Sequence, residues 1–156
     1  MKRIIIHWTV GRYNQLFPLN YHYMINDKGE VFEGKFKPED NENCKDGKYA
    51  QHTGGGNTGS IGVALCAMYG YKSMQDVGGY PITRKQIEAC FELCAKLCKE
   101  YRIPVQEIYT HYSFNKKHNI KSGKIDIIYL PPFPNVKIND IESFIRSKVN
   151  YYKVRG

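Results

Sequence analysis

Hydrophobic residues in this chain fall in short runs separated by polar, glycine-rich stretches, and at helical spacing in two places. The run through Ile4, Ile5 and Ile6 to Trp8 is continuous and β-branched, which predicts a buried central strand over residues 2–8. Residues 21–25 (Tyr-His-Tyr-Met-Ile) predict a second strand, Asn26-Asp27-Lys28-Gly29 a turn, and residues 31–34 the returning arm of a hairpin. Residues 37–48 are polar and turn-rich, so a surface loop is expected there, and residues 60–66 predict another strand. Ile87, Cys90, Phe91, Cys94, Leu97, Cys98 and Tyr101 form one stripe, predicting a helix over residues 83–101. Thr83 and Gln86 supply its capping box, and Pro104 lies beyond its end. Residues 107–111 predict a strand, residues 112–134 a long loop, and residues 140–152 a last amphipathic helix with Asn139 and Glu142 as capping box. Strands and helices interleave, so the expected fold class is α/β, a single domain over residues 1–156.

Composition narrows this picture modestly. No apolar run approaches the ~20 residues of a membrane span. Met1-Lys2-Arg3 followed by three isoleucines is too short for a signal-peptide core. The chain is therefore expected to be cytoplasmic as synthesised, reaching a cell wall only through lysis or a dedicated channel. A net charge of +8 favours an acidic partner: nucleic acid, a phospholipid surface or an anionic wall polymer. The 23 basic residues are scattered and RNA-binding signatures are absent, so a solvated basic surface is expected, with no nucleic-acid partner and no membrane insertion. A monomer is expected. Of the five cysteines, Cys90, Cys94 and Cys98 recur every four residues on the helix face that also carries Ile87 and Phe91. That spacing and the odd count argue against a disulfide framework, leaving Cys44 and Cys66 with them as free thiols of a reducing compartment.

Chemistry concentrates at His7 and His111, each at the end of an apolar strand-like run, and at Lys124 and Asp126, two apart in the loop that follows. Two imidazoles and a carboxylate facing one another across a sheet make a three-ligand set suited to zinc, with a fourth position for water or substrate. On spacing alone, a packing role for each histidine and a surface salt bridge for Lys124–Asp126 remain open. His22, inside a strand, reads as structural, and His118, in a lysine-rich segment, as solvated. The glycines after His52 (Gly54, Gly55, Gly56) lack the Gly-Lys-Ser/Thr of a phosphate-cradling loop, so a flexible loop holding His52 beside a cleft is expected. Tyr21 and His52 are the available proton carriers or water-orienting groups.

Three blocks carry a family resemblance: Tyr21-His22-Tyr23-Met24-Ile25 with Asp27-x-Gly29-x-Val31; His52-Thr53-Gly54-Gly55-Gly56-Asn57; and Ser60-Ile61-Gly62-Val63. In this order they resemble the zinc-dependent N-acetylmuramoyl-L-alanine amidases, which include phage lysozyme-type amidases and peptidoglycan recognition proteins. The resemblance runs from His7 to the last helix. It implies a central mixed β-sheet flanked by helices, with Zn2+ held at one sheet edge by His7, His111 and Asp126. It further implies Lys124 and Tyr21 as catalytic residues, and His52, Thr53 and Asn57 as substrate-binding residues. An aspartate as third ligand resembles the muropeptide-recycling branch, where phage and recognition proteins usually carry cysteine.

Two departures stand out. The recycling branch has a catalytic glutamate where this chain has Ala64. The family usually has a helix between its first two strands, whereas residues 11–20 here are too short and contain Pro18. A groove more open on that side is expected, with residues 38–48 as a replacement wall. The resemblance implies hydrolysis of the amide between N-acetylmuramic acid and L-alanine in peptidoglycan, as an endolysin-type lytic enzyme or a recycling amidase. The alternatives are a non-catalytic peptidoglycan receptor, a basic nucleic-acid-binding module, or another zinc amide hydrolase.

Overall fold

The computed structural model describes residues 1–156. Its strands are β1 (Arg3–Trp8), β2 (Tyr23–Ile25), β3 (Val31–Glu33), β4 (Ser60–Leu65) and β5 (Ile108–Thr110), and its helices α1 (Arg84–Tyr101), α2 (His111–Lys117) and α3 (Ile141–Arg155). The strands form one mixed sheet in the order β3-β2-β4-β1-β5, antiparallel only at the β2–β3 hairpin.

Side-chain alternation along β1 divides the molecule into layers. Ile4, Ile6 and Trp8 point to one face, where they join Ile61, Val63 and Leu65 of β4, Ile87 and Phe91 of α1, and Ile145 and Val149 of α3 in the main core. Burying each such side chain contributes roughly 1.5–3 kcal/mol. Ile5 points to the other face and packs with Tyr109 of β5 and Phe114 of α2, and His7 follows it on that side. On this same face β4 and the residue after it present only Ser60, Gly62, Ala64 and Cys66, all fully buried. A row of small side chains leaves room for a loop to lie flat on the sheet.

The long helix agrees with its pattern, down to the Thr83–Gln86 capping box. Other elements correct expectation. Residues 112–134 are not all loop, because His111–Lys117 form α2, started by a reciprocal Thr110–Ser113 capping box. The remainder is anchored by Ile127 and Leu130, both buried in the main core. The last helix begins after a 3-10 turn at Ile138–Asp140, and its Asp140 cap makes no side-chain hydrogen bond; the Asn139–Glu142 box does not form. The polar segment after β3 is not simply surface. It contains a 3-10 turn, Pro38–Glu42, whose Asn41 is fully buried. Asn41 donates to the carbonyls of Ala50 (3.0 Å) and Asn57 (3.1 Å) and accepts from the Ala50 N–H (2.9 Å).

Candidate metal centre and substrate cleft

Register brings the two principal histidines together. Ile6 of β1 pairs with Thr110 of β5 in parallel, so the next residues, His7 and His111, stand side by side with ring centroids 4.8 Å apart. Thr110 ends the strand and caps α2, which fixes the direction of the His111 side chain as the first residue of the helix. Asp126 arrives from the loop, held by the Tyr112 N–H donating to its carbonyl (2.6 Å) and by burial of the adjacent Ile127.

The Asp126 carboxylate lies 3.0 Å from His7 Nδ1 through one oxygen and 3.4 Å from His111 Nδ1 through the other. One ligand atom from each residue falls within 4.8 Å of the others, and all three residues are buried. Burial works against the Asp126 anion, yet its hydrogen bonds with His111 and His7 hold it below the ordinary carboxylate range. Burial likewise pulls the His7 imidazole below its ordinary value, against the raising pull of Asp126. The cluster is therefore an ionised carboxylate beside an imidazole that resists protonation, a donor set that can hold a divalent metal ion.

His111 and Asp126 line a cleft of 440 Å³, bordered also by Tyr21, His52, Lys124 and the segment after β1, with His7 buried against them. The Tyr21 ring packs at 5.2 Å from that of His7. Burial, reinforced by the Asp126 charge, raises the Tyr21 phenol above its ordinary value, so it stays protonated. Lys124 is exposed on the wall. Asp126 is the only carboxylate among the bordering residues. Ala64, fully buried, is paired with His7 in the sheet and packed beside Tyr21 and Met24.

The three residues expected to bind substrate are placed differently. His52 borders the cleft but is only 7% exposed, with both ring nitrogens bonded inside the protein. Burial and the neighbouring His7 and His22 hold its pKa well below the ordinary value. Thr53 is sealed from solvent, and neither it nor Asn57 borders the cleft. Asn57 instead accepts from the His52 and Thr53 N–H groups through its side-chain oxygen (3.0 and 2.8 Å), so the loop is pinned rather than flexible. His22 is structural: its Nδ1 accepts from the Gly62 N–H (2.9 Å) and its Nε2 donates to Asn41 (2.9 Å). Residues 38–48 do not wall the cleft. Asn41 ties their turn to His22 on the far side of β4, and residues of the coil after β1, with no helix between β1 and β2, form the rim instead. Val10 stands there half exposed at φ 55°, a conformation β-branched residues rarely adopt. Sequence reasoning missed Asn41 and Gly62; the alternation of small residues through β4 was the available signal for the second.

A profile of the N-acetylmuramoyl-L-alanine amidase family matches residues 1–127. The chain belongs to that family: it is a hydrolase of the amide between N-acetylmuramic acid and L-alanine, acting on peptidoglycan or its muropeptides. Among solved structures it is similar to the N-acetylmuramoyl-L-alanine amidase LysC from Clostridium intestinale URNW, at 16% identity, covering 96% of this chain and 85% of that one, with a TM-score of 0.59. It is also similar to the Drosophila peptidoglycan recognition protein SD, at 18% identity over 72% of this chain and 69% of that one, with a TM-score of 0.52. A third likeness is to the E. coli amidase AmiD in complex with an anhydromuramyl peptide substrate, at 20% identity over 71% of this chain and 48% of that one, with a TM-score of 0.51. These likenesses establish the fold. A search of curated protein sequences finds no match. No helix is long and apolar enough to cross a membrane.

Proposed function

We propose that residues 1–156 form one zinc-dependent amidase domain of the endolysin type, cutting intact peptidoglycan and working as a monomer. The observation that carries this reading is the convergence of His7, His111 and Asp126, two of which, His111 and Asp126, line a cleft. His7, His111 and Asp126 would hold the ion, which when bound supplies a polarised carbonyl and a water of pKa about 7. The chain's own groups do the rest. Lys124, on the cleft wall, stabilises negative charge as it develops on the substrate carbonyl oxygen. Tyr21, protonated beside His7, orients the attacking water and relays a proton toward the departing L-alanine nitrogen. The basic surface attracts the anionic polymers and stem-peptide carboxylates of a bacterial wall.

The test is digestion of purified peptidoglycan by zinc-loaded protein, scoring new amino termini and new reducing sugars beside a chelated control. New L-alanine termini without reducing ends, lost on chelation and restored by zinc, are expected. Small muropeptides cut in preference to intact wall would favour the recycling role. Ala64, at the position where the resemblance to the recycling branch implies a glutamate, favours one second reading, a peptidoglycan receptor. Sedimentation with the wall without either product would establish it.

A further inference from the structure

We propose that His52, with Thr53, is a positioning residue that sets the tautomer of His7, so that His7 offers Nδ1 to the metal ion. This rests on the metal-centre reading. With a metal ion in place of the proton between His7 Nδ1 and Asp126, the hydrogen bonds around the two rings leave one assignment. His52 Nε2 lies 3.2 Å from the Ser60 carbonyl, which can only accept, so the proton of the neutral ring sits on Nε2. His52 Nδ1 is then a bare acceptor, with Thr53 Oγ1 at 2.8 Å and His7 Nε2 at 3.2 Å. Thr53 Oγ1 is in turn 3.3 Å from His7 Nε2. The threonine has one proton to give. If His7 Nε2 were also bare, two lone pairs would face each other across 3.2 Å with a single hydroxyl to serve both. With the proton on His7 Nε2, every atom of the triangle is satisfied, since His7 donates to Thr53 or His52 and Thr53 donates to His52.

His7 Nδ1 is then the bare nitrogen, and it faces an Asp126 oxygen at 3.0 Å. In the metal-free protein a proton on Nδ1 makes this contact a hydrogen bond; in the loaded protein the ion takes that proton's place. His111 Nδ1 faces the other Asp126 oxygen at 3.4 Å. The network behind His7 thus receives the ring proton on Nε2 when the ion takes Nδ1.

The ring of His52 is held to this task from three sides. Its backbone N–H and that of Thr53 both donate to the Asn57 side chain. Its Nε2 is tied to β4 at Ser60. Its flat face rests on Gly62, where a Cβ would lie 2.5 Å from Cγ and 2.6 Å from Cδ2 of the ring. Any larger residue at position 62 would lift the imidazole off the sheet. With both nitrogens engaged by protein, His52 offers substrate no polar atom and acts through His7.

The test measures zinc affinity by competition with a chromophoric chelator, together with the 15N ring signals of His7 in the zinc-loaded protein. In wild type, His7 should carry its proton on Nε2. His52→Ala should weaken zinc binding about 10- to 100-fold, the range for loss of such an outer partner. His52→Gln should recover most of the affinity, because its amide oxygen can accept from His7 while its amide nitrogen donates to Ser60. Thr53→Val, close in shape, should weaken binding in the same direction and serves if His52→Ala does not fold. Wild-type affinity in both His52→Ala and Thr53→Val, or a loaded His7 protonated at Nδ1, overturns the proposal. Asp126→Ala separates the two levels. If it loses zinc while the His52 and Thr53 variants do not, only the positioning role fails; if it too binds as wild type, the metal centre itself fails.

Discussion

Replacing Asp126 by alanine tests the centre most directly, because the carboxylate serves both the metal-free and the metal-bound protein. In the metal-free protein Asp126 is 6% exposed and partners the Nδ1 atoms of His7 and His111 at 3.0 and 3.4 Å. Removing it orphans two buried polar atoms, each at about 1–3 kcal/mol. Part of that is offset, since the carboxylate's own desolvation is relieved. A net loss of about 2–4 kcal/mol follows, which for a chain of this size lowers Tm by roughly 5–15 °C. Zinc acts in the other direction. At a free concentration 100 times its Kd an ion that binds only the folded state adds about 2.7 kcal/mol. Wild-type Tm should therefore rise by roughly 5–10 °C between chelator and zinc, while Asp126→Ala should show little rise. The assay is thermal unfolding of both proteins in chelator and in zinc, with wall digestion in parallel. A variant that keeps the full zinc-induced rise and still releases L-alanine termini would refute Asp126 as a ligand.

Two further outcomes follow from the same geometry. Tyr21→Phe keeps the ring packed beside His7 but removes the phenol, so kcat should fall about 100-fold with zinc affinity unchanged, and an unaltered kcat would remove Tyr21 from the chemistry. Burial, against the raising hydrogen bond that His22 donates to Asn41, lowers the His22 pKa from 6.5 to about 4, so the unfolded chain takes up a proton that the folded one excludes. Stability is therefore flat in this respect above about pH 6.5 and is lost as pH falls from there toward 4, by roughly 3 kcal/mol in all. Urea midpoints at pH 7.5 and 4.5 should drop further for wild type than for His22→Gln, and equal drops would show that His22 is not held neutral.

Much of this protein was legible before any coordinates. The β-branched run to Trp8, the helical stripe from Ile87 to Tyr101 and the Thr83–Gln86 box determine their own elements, because strand and helix periodicity is local information. His7 and His111 could be marked as strand-end residues on the same basis, whereas Asp126 stood out only through the Lys124-x-Asp126 pair in a loop. What local pattern could not say is which atoms meet. That His7 lies beside His111 follows from the β1–β5 register, set by how Ile5 and Ile6 pack across the sheet. The Thr110–Ser113 box was readable but was obscured by the apolar run before it, and a polar loop hid the buried Asn41 because burial is decided by neighbours distant in sequence. His52 is the sharpest case. Its sequence block fits a groove-lining residue and it does border the cleft, but Gly62, ten positions on, leaves a flat place on the sheet that seats the ring, and Ser60, Thr53 and His7 take up both nitrogens. The residue types available to the site are a property of the sequence; whether a side chain faces substrate or faces another ligand depends on packing between segments far apart in the chain, which only the tertiary structure decides.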